Sequence, residues 1–302
     1  MNIDALIRAA QNSEPKYFEK EQIEAWLKAA TLDLKKHYEK PQPLIKFVEA
    51  NGREVDVCTM QNISCTMGAA KSKKTFYSSI LAAALLGNTE FAISGNLRGR
   101  KILFIDTEQA PYHVYRVGKR IEKMIDAIQT DLITMLILRN HGVEERMAIS
   151  EMAISSGQYS FVIIDGIVDM VYDFNDLRES TVIVNKLMKL SMENNCHINS
   201  VIHTNKDAIN ARGHLGAFLM NKCESVFKIT KTDTNASSVH PEFTRNQPFE
   251  EWEFTINEHG IPERNLKPVG YYQNIDQKIA VNVYEPVEYN QNIITETNDL
   301  PF

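Results

Sequence analysis

Cysteine is scarce in this chain. Cys58, Cys65, Cys196 and Cys223 are the four in 302 residues, and no two form a C-x-x-C pair. The pattern speaks against a disulfide scaffold and against a cysteine-based metal site. Three of the four sit in apolar or strand-like surroundings, which predicts buried free thiols in a reducing cytosol. Long apolar runs are missing too, so no segment has the ~20 consecutive apolar residues of a membrane span. The start, Met1-Asn2-Ile3-Asp4, lacks the apolar stretch of a secretory signal. The expectation is a cytoplasmic protein with no membrane partner. Positive charge is not in excess. A net charge of −6 argues against coating nucleic acid over the whole surface, but leaves room for a basic loop or the basic channel of an oligomer. No internal repeat is visible. What remains, 43% hydrophobic and 24% charged, is an ordinary globular composition. The length suits one large α/β domain with appendages, or two small domains.

Glycine is missing at one informative place. Gly68-Ala69-Ala70-Lys71-Ser72-Lys73-Lys74-Thr75 reads as the phosphate-binding pattern G-x-x-x-x-G-K-[ST], with Lys73 where the second glycine is expected. Ile63 to Met67 before it alternates like a short strand. Phe76 to Leu86 after it is an apolar, Ala-rich run of helical character. Strand, loop and helix in that order aim backbone N–H groups and a helix N-terminus at an anion. Lys74 would reach the β- and γ-phosphates of ATP, and the Thr75 hydroxyl would hold Mg²⁺. Lys73 gives up the close backbone approach that glycine allows, and adds a cation beside Lys71 and Lys74. The competing reading is a basic loop capping a helix, with no nucleotide.

Around this motif the chain is organised as an α/β protein. Residues 1–45 form an N-terminal arm. In it Ile23, Trp26, Leu27, Ala30, Leu34 and Tyr38 recur at helical spacing, predicting a helix from Glu19 to Tyr38 that Pro41 and Pro43 end. Such a helix either packs on its own core or docks on a neighbouring subunit. Strands are expected at Lys101–Asp106, Leu132–Leu138, Tyr159–Asp165, Asn199–His203 and Ser225–Thr230, with a helix at Ser180–Asn194. Alternation of this kind predicts a mostly parallel central sheet flanked by helices in a core spanning 46–257, with Trp252–Ile256 as a late antiparallel addition. Residues 258–302 form a C-terminal extension that turns Asn-, Gln- and Tyr-rich.

Further groups sit where an ATPase needs them. The strand Phe161–Asp165 ends in a carboxylate, and ligands of parallel sheets bind beyond strand C-termini, so Asp165 would meet the metal or its water shell. The strand Ile102–Ile105 leads into Asp106-Thr107-Glu108-Gln109. Glu108 is the candidate base that orients and deprotonates the attacking water. Alternatively, Asp106 or Thr107 caps a helix with Glu108 in its first turn, and both readings can hold together. His203, at the end of Val201-Ile202-His203, can sense a γ-phosphate oxygen or be structural. Arg212, in the loop Asn210–Gly216, and Lys228 and Lys231, on Phe227–Lys231, could reach a neighbour's nucleotide, contact DNA, or be solvated surface charge.

This order of elements resembles the RecA-like ATPases, and within them the RepA-type and DnaB-like hexameric helicases of plasmids and mobile elements. Ala70-Lys71-Ser72-Lys73-Lys74-Thr75-Phe76 is similar to a subgroup carried by mobilisable elements. So are Asp165-Gly166-Ile167-Val168-Asp169 with Asp173, Asn175 and Asp176, and Arg245-Asn246 followed by Phe249. In that subgroup a bulky residue before the loop lysine is not out of place. The resemblance covers roughly residues 47–257. It implies a RecA-like fold in a homo-oligomeric, hexameric ring that binds single-stranded DNA and hydrolyses ATP with Mg²⁺. Gly68 to Phe76 would bind nucleotide, with Lys74 and Thr75 on phosphate and metal. Asp165 would also meet the metal, Glu108 would be the base and His203 the sensor. Lys228 or Lys231 would be a finger in trans, and Arg212 a residue of the DNA-contacting loop. The implied role is a helicase-like motor in replication or mobilisation of an extrachromosomal element. The alternatives are an ATP-dependent loader or regulator without unwinding, and a non-hydrolysing nucleotide switch.

The last residues, Glu296 to Phe302, resemble the acidic Asp-x-Pro-Phe terminus of bacterial single-stranded-DNA-binding proteins. Asp299-Leu300-Pro301-Phe302 would then dock a protein partner, with Phe302 in an apolar pocket and its carboxylate on a cation. A solvated or core-tucked tail is the competing reading.

Overall fold

The structure, a computed structural model, describes residues 18–126, 130–205 and 211–265. The tail motif at 296–302 lies outside the described residues, as does Asn210. The chain divides between Gln42 and Pro43 into two compact units.

In the first unit, helix α1 spans Lys20–Ala30 and none of its residues is buried. The predicted continuation to Tyr38 is not formed. Helix geometry ends at Thr31, which is extended, ten residues before Pro41. Side-chain competition for the backbone explains the stop. The Thr31 hydroxyl donates back to the Leu27 carbonyl at 2.7 Å. The Asp33 carboxylate accepts from the Lys35 amide, and Tyr38 Oη accepts from the Asp33 amide. Ile23, Trp26 and Leu27 stay exposed, with Trp26 edge-on to Phe18 at 4.9 Å.

The second unit carries two sheets. Strands β1 (Pro43–Val48), β2 (Glu54–Thr59) and β4 (Ile93–Gly95) form a small antiparallel sheet in the order β2-β1-β4. The nine-stranded sheet contains β3 (Ile63–Gly68), β5 (Lys101–Asp106), β6 (Ile133–Ile137), β7 (Tyr159–Asp165), β8 (His197–His203), β9 (Ser225–Lys231), β10 (Ser237–Thr244), β11 (Trp252–Ile256) and β12 (Pro262–Asn265). Its order is β12-β11-β10-β9-β3-β8-β7-β5-β6. From β9 to β6 every neighbouring pair is parallel, and β10, β11 and β12 join antiparallel.

Both faces of the parallel part are covered, as near-continuous apolar strands require. Successive side chains alternate between two cores. Ile102, Phe104, Phe161 and Ile163 join α2 (Lys74–Leu85), α3 (Pro111–Met124) and the small sheet on one side. Leu103, Ile105, Val162 and Ile164 join α4 (Val143–Ser155), α5 (Leu177–Glu193) and α6 (Gly213–Lys222) on the other. Helix α5 starts at Leu177, earlier than expected, because the Asp176 carboxylate accepts from the Glu179 amide at 2.7 Å and caps it. All four cysteines are buried and unpaired. Burial pushes the Cys65 and Cys196 thiols up to about 12. Among the described residues no helix is long and apolar enough to cross a membrane.

A buried polar chain runs through the centre of the sheet. Thr66 Oγ1 donates to Asn199 Oδ1, Asn199 Nδ2 to Ser64 Oγ, and His197 Nδ1 to the Thr59 carbonyl at 2.7 Å. With Nδ1 protonated, His197 Nε2 accepts from Ser64 Oγ at 2.8 Å. Burial lowers the His197 pKa from 6.5 to about 4, against the opposing Thr59 hydrogen bond. Protons therefore bind the unfolded chain more readily between those values. The stability contributed by the neutral imidazole is complete above pH 6.5 and is lost as pH falls towards 4, on the order of 3 kcal/mol. His197→Gln, which does not titrate, should flatten that part of the stability–pH curve in urea unfolding. An unchanged slope would refute the assignment.

Candidate functional site

The C-terminal ends of β3, β5, β7 and β8 meet at one cleft of about 350 Å³. The loop from Gly68 to Lys73 forms one wall. Gly68 is needed by space, since a Cβ there would lie 2.4 Å from the Ile229 carbonyl oxygen and 2.5 Å from Ser72 Oγ. Lys71 and Lys73 both have left-handed backbones, with φ of 65° and 73°, a region that costs a non-glycine residue roughly 1–2 kcal/mol. Lys73 immediately precedes α2, and no side chain caps that helix. The ammonium of Lys73 donates to the Asn235 carbonyl at 2.5 Å, in the β9–β10 turn. Burial, then the nearby Lys231, lower its pKa. The Ser237 hydroxyl donates to the Ser72 carbonyl, a second tie to that hairpin.

Lys74 is buried and folded over its own loop. Its ammonium donates to the carbonyls of Gly68 and Ala69 at 2.9 and 3.0 Å, and to His203 Nδ1 at 3.1 Å. Since an ammonium only donates, Nδ1 accepts and the imidazole proton is on Nε2, 4.0 Å from Glu108 Oε1. Burial lowers the Lys74 pKa, and Asp165 and Glu108 oppose that. Burial, then Lys74 and Arg212, lower that of His203. Thr75 Oγ1 donates to Asp165 Oδ2 at 2.7 Å. Asp165 is pushed up to about 7 by burial, with Asp106 and Glu108 adding repulsion and the Thr75 hydrogen bond opposing. Glu108 is half-exposed, and its pKa is raised by burial, then by Asp169 and Asp106.

The cleft thus gathers Lys71, Lys73, Lys74, Thr75, Phe76, Glu108, Asp165 and His203, all expected from the sequence. Gly68 and Ala69 supply the carbonyls under Lys74. Ala69 and Ala70 are exposed, while Ser72 is buried. The helix-cap alternative for Asp106 and Thr107 does not hold. Helix α3 begins at Pro111, after Ala110, and Glu108 lies outside it.

Three expected cations do not line this cleft. Arg212 lies over the Phe174 ring at 4.3 Å, and its amide donates to the His203 carbonyl at 2.9 Å. The predicted loop at 210–216 is mostly helix, since Gly213 opens α6. Lys228 is ion-paired with Glu242 at 3.2 Å. With exposed Lys231 it borders a separate polar depression on β9 and β10.

The far wall was not anticipated. His113, Arg116 and Arg120 on α3 face the cleft. The Arg120 guanidinium stacks over Phe76 at 3.7 Å and donates to Ser79 Oγ and the Gly260 carbonyl. Burial, then Arg116, lower its pKa to about 10. Their i, i+3, i+7 spacing places them on one helix face, beside the buried Val114, Val117 and Ile121. That spacing was the readable signal.

The site offers hard oxygen donors for a metal in Thr75 and Asp165. Among the described residues no cluster of three or more His, Cys, Asp or Glu could hold one. Two protein oxygens suit Mg²⁺, which takes one or two protein ligands and keeps water and substrate phosphate for the rest. No protein-family model matches the chain, and no curated protein matches it.

Proposed function

We propose that this chain is a RecA-like P-loop ATPase that acts on DNA as a helicase-like motor in an oligomeric ring. The observation that carries the reading is the convergence of Lys74, Thr75, Asp165, Glu108 and His203 from separate strand ends on one cleft. Lys74 would grip the β- and γ-phosphates of ATP. Thr75 and Asp165 would hold Mg²⁺, which when bound would neutralise charge on the phosphates. Asp165 would have to be ionised for that role, and would give up its hydrogen bond from Thr75. Glu108 orients a water and takes its proton. His203, touching Lys74 and close to Glu108, registers whether the γ-phosphate is present. The cations Arg116 and Arg120 add positive potential along the far wall.

ATP turnover measured with and without single-stranded DNA tests this. DNA-stimulated turnover is expected, and strand displacement from a forked duplex separates a motor from a loader or regulator. Absent turnover with intact nucleotide binding would leave the switch reading, which the Lys73 departure from glycine favours. That departure has its own test. Glycine adopts the left-handed backbone without the side-chain cost, and the Lys73 ammonium is engaged by Asn235. Lys73→Gly should therefore keep ATP affinity within a few-fold of wild type in a fluorescent-nucleotide titration. A collapse of binding would mean that Lys73, not Lys74, grips phosphate.

A further inference from the structure

The groups of the cleft are held in different ways. Lys74, Thr75, Asp165 and His203 all take part in side-chain hydrogen bonds. The Glu108 carboxylate makes none among the described residues, and its nearest partner is His203 at 4.0 Å. Its place is set through the backbone. Asp106 Oδ1 accepts from the amides of Glu108 and Gln109 at 3.0 and 2.7 Å, and Oδ2 accepts from Gln109 Nε2 at 2.7 Å. Thr107 is buried, and its amide donates to the Asp165 carbonyl at 3.1 Å. Its hydroxyl donates to Asp169 Oδ2 at 2.8 Å, with the Gly166 carbonyl 3.0 Å away. Gly166 has a φ of 106°, and a Cβ there would stand 2.2 Å from Thr107 Oγ1. The chain leaving β7 therefore passes the Thr107 side chain at a distance only glycine permits. Asp169 is itself fixed. Its amide donates to the Gly166 carbonyl at 3.0 Å, and its carbonyl accepts from Arg146 Nη1 at 2.9 Å.

We propose that Asp169, acting through the Thr107 hydroxyl, is a positioning residue for Glu108. The hydrogen bond clamps the segment that carries Glu108 to the 3-10 turn Ile167–Met170, which directly follows Asp165. Distance between the base and the metal-side carboxylate is thereby held without a contact to Glu108 itself. The inference rests on Glu108 being the base of an ATPase. Misplacing a reacting group by about 1 Å costs on the order of 10²-fold in rate.

Four single variants and one double variant test it. Thr107→Val keeps the shape and loses the hydroxyl, and Asp169→Ala loses the acceptor. Each should lower kcat by about 10²-fold while KM and ATP affinity stay near wild type, and the double variant should be no worse than either. Thr107→Ser and Asp169→Asn preserve a donor and an acceptor and should restore turnover to within a few-fold. A serine variant as slow as the valine one, a valine variant with normal kcat, or a loss confined to KM would overturn the clamp. Amide hydrogen exchange at 107–109 decides the matter without turnover. It should quicken in Thr107→Val and not in Thr107→Ser, and equal exchange in the valine variant and wild type would overturn the proposal. A wild-type protein that hydrolyses no ATP would instead sink the ATPase reading, with the exchange result still deciding whether the clamp exists.

Discussion

Glu108→Gln is expected to bind Mg·ATP with near wild-type affinity and to hydrolyse it about 10²-fold more slowly or worse, the usual loss of a positioned general base. The substitution keeps size and backbone anchoring, since Asp106 holds the segment by the Glu108 and Gln109 amides and the Gln109 side chain, none of which the exchange touches. What goes is the ability to take a proton. Burial, then Asp169 and Asp106, raise the Glu108 pKa, and Lys74 pulls it down. A base works only when ionised. At saturating Mg·ATP, where the metal keeps Asp165 ionised, wild-type kcat should therefore decline as pH falls through a value above the ordinary glutamate range, and the glutamine variant should lack that limb. Rapid-quench turnover across pH, paired with equilibrium nucleotide binding, measures both. Near-normal turnover would reduce Glu108 to a structural role.

Lys74→Ala should weaken ATP binding by roughly 10²-fold or more. Charge-assisted hydrogen bonds contribute about 1.5–3 kcal/mol each, and the ammonium is the donor placed to make two of them. The neighbouring lysines do not substitute. Lys71 is exposed and Lys73 is tied to Asn235. Calorimetric titration gives the affinity, and thermal unfolding shows whether the loop survives, because the variant also takes one of two donors from each of the Gly68 and Ala69 carbonyls, which keep the Thr204 and Ser72 amides. Binding that persists in Lys74→Ala and vanishes in Lys73→Ala would reverse the alignment of the loop.

Much of this architecture was legible in the chain. Strands β5 and β7 match their expected ranges because buried parallel strands are continuous apolar runs that end abruptly in acids. The phosphate-binding pattern fixes its own neighbours, so the strand before it and the helix after it were readable together. Other features depend on contacts that no local pattern encodes. Helix α1 stops at Ala30 because Thr31 and Asp33 compete for the backbone, and helical periodicity alone runs past them. Arg120 reaches the cleft because α3 packs against α2, which brings it over Phe76. Lys228 offers a projecting cation in sequence, but the antiparallel β10 sets Glu242 against it.

The polar chain through the central sheet has a direction. From Thr66 to Thr59 every donor points the same way, and each hydroxyl or amide is already committed. Reversing the imidazole tautomer would set two protons facing one another at Ser64 and, at the same time, two lone pairs at Thr59. Residues 64, 66, 197 and 199 are therefore one evolutionary character rather than four, with the Thr59 backbone carbonyl as the fixed end of the chain. A lineage can drop the whole set in favour of apolar side chains, or keep it intact. An intermediate with a single member exchanged carries an orphaned polar atom inside the sheet, at about 1–3 kcal/mol. In an alignment of homologues these positions should change together, and a scattering of single exchanges among them would show that the sheet tolerates a broken chain.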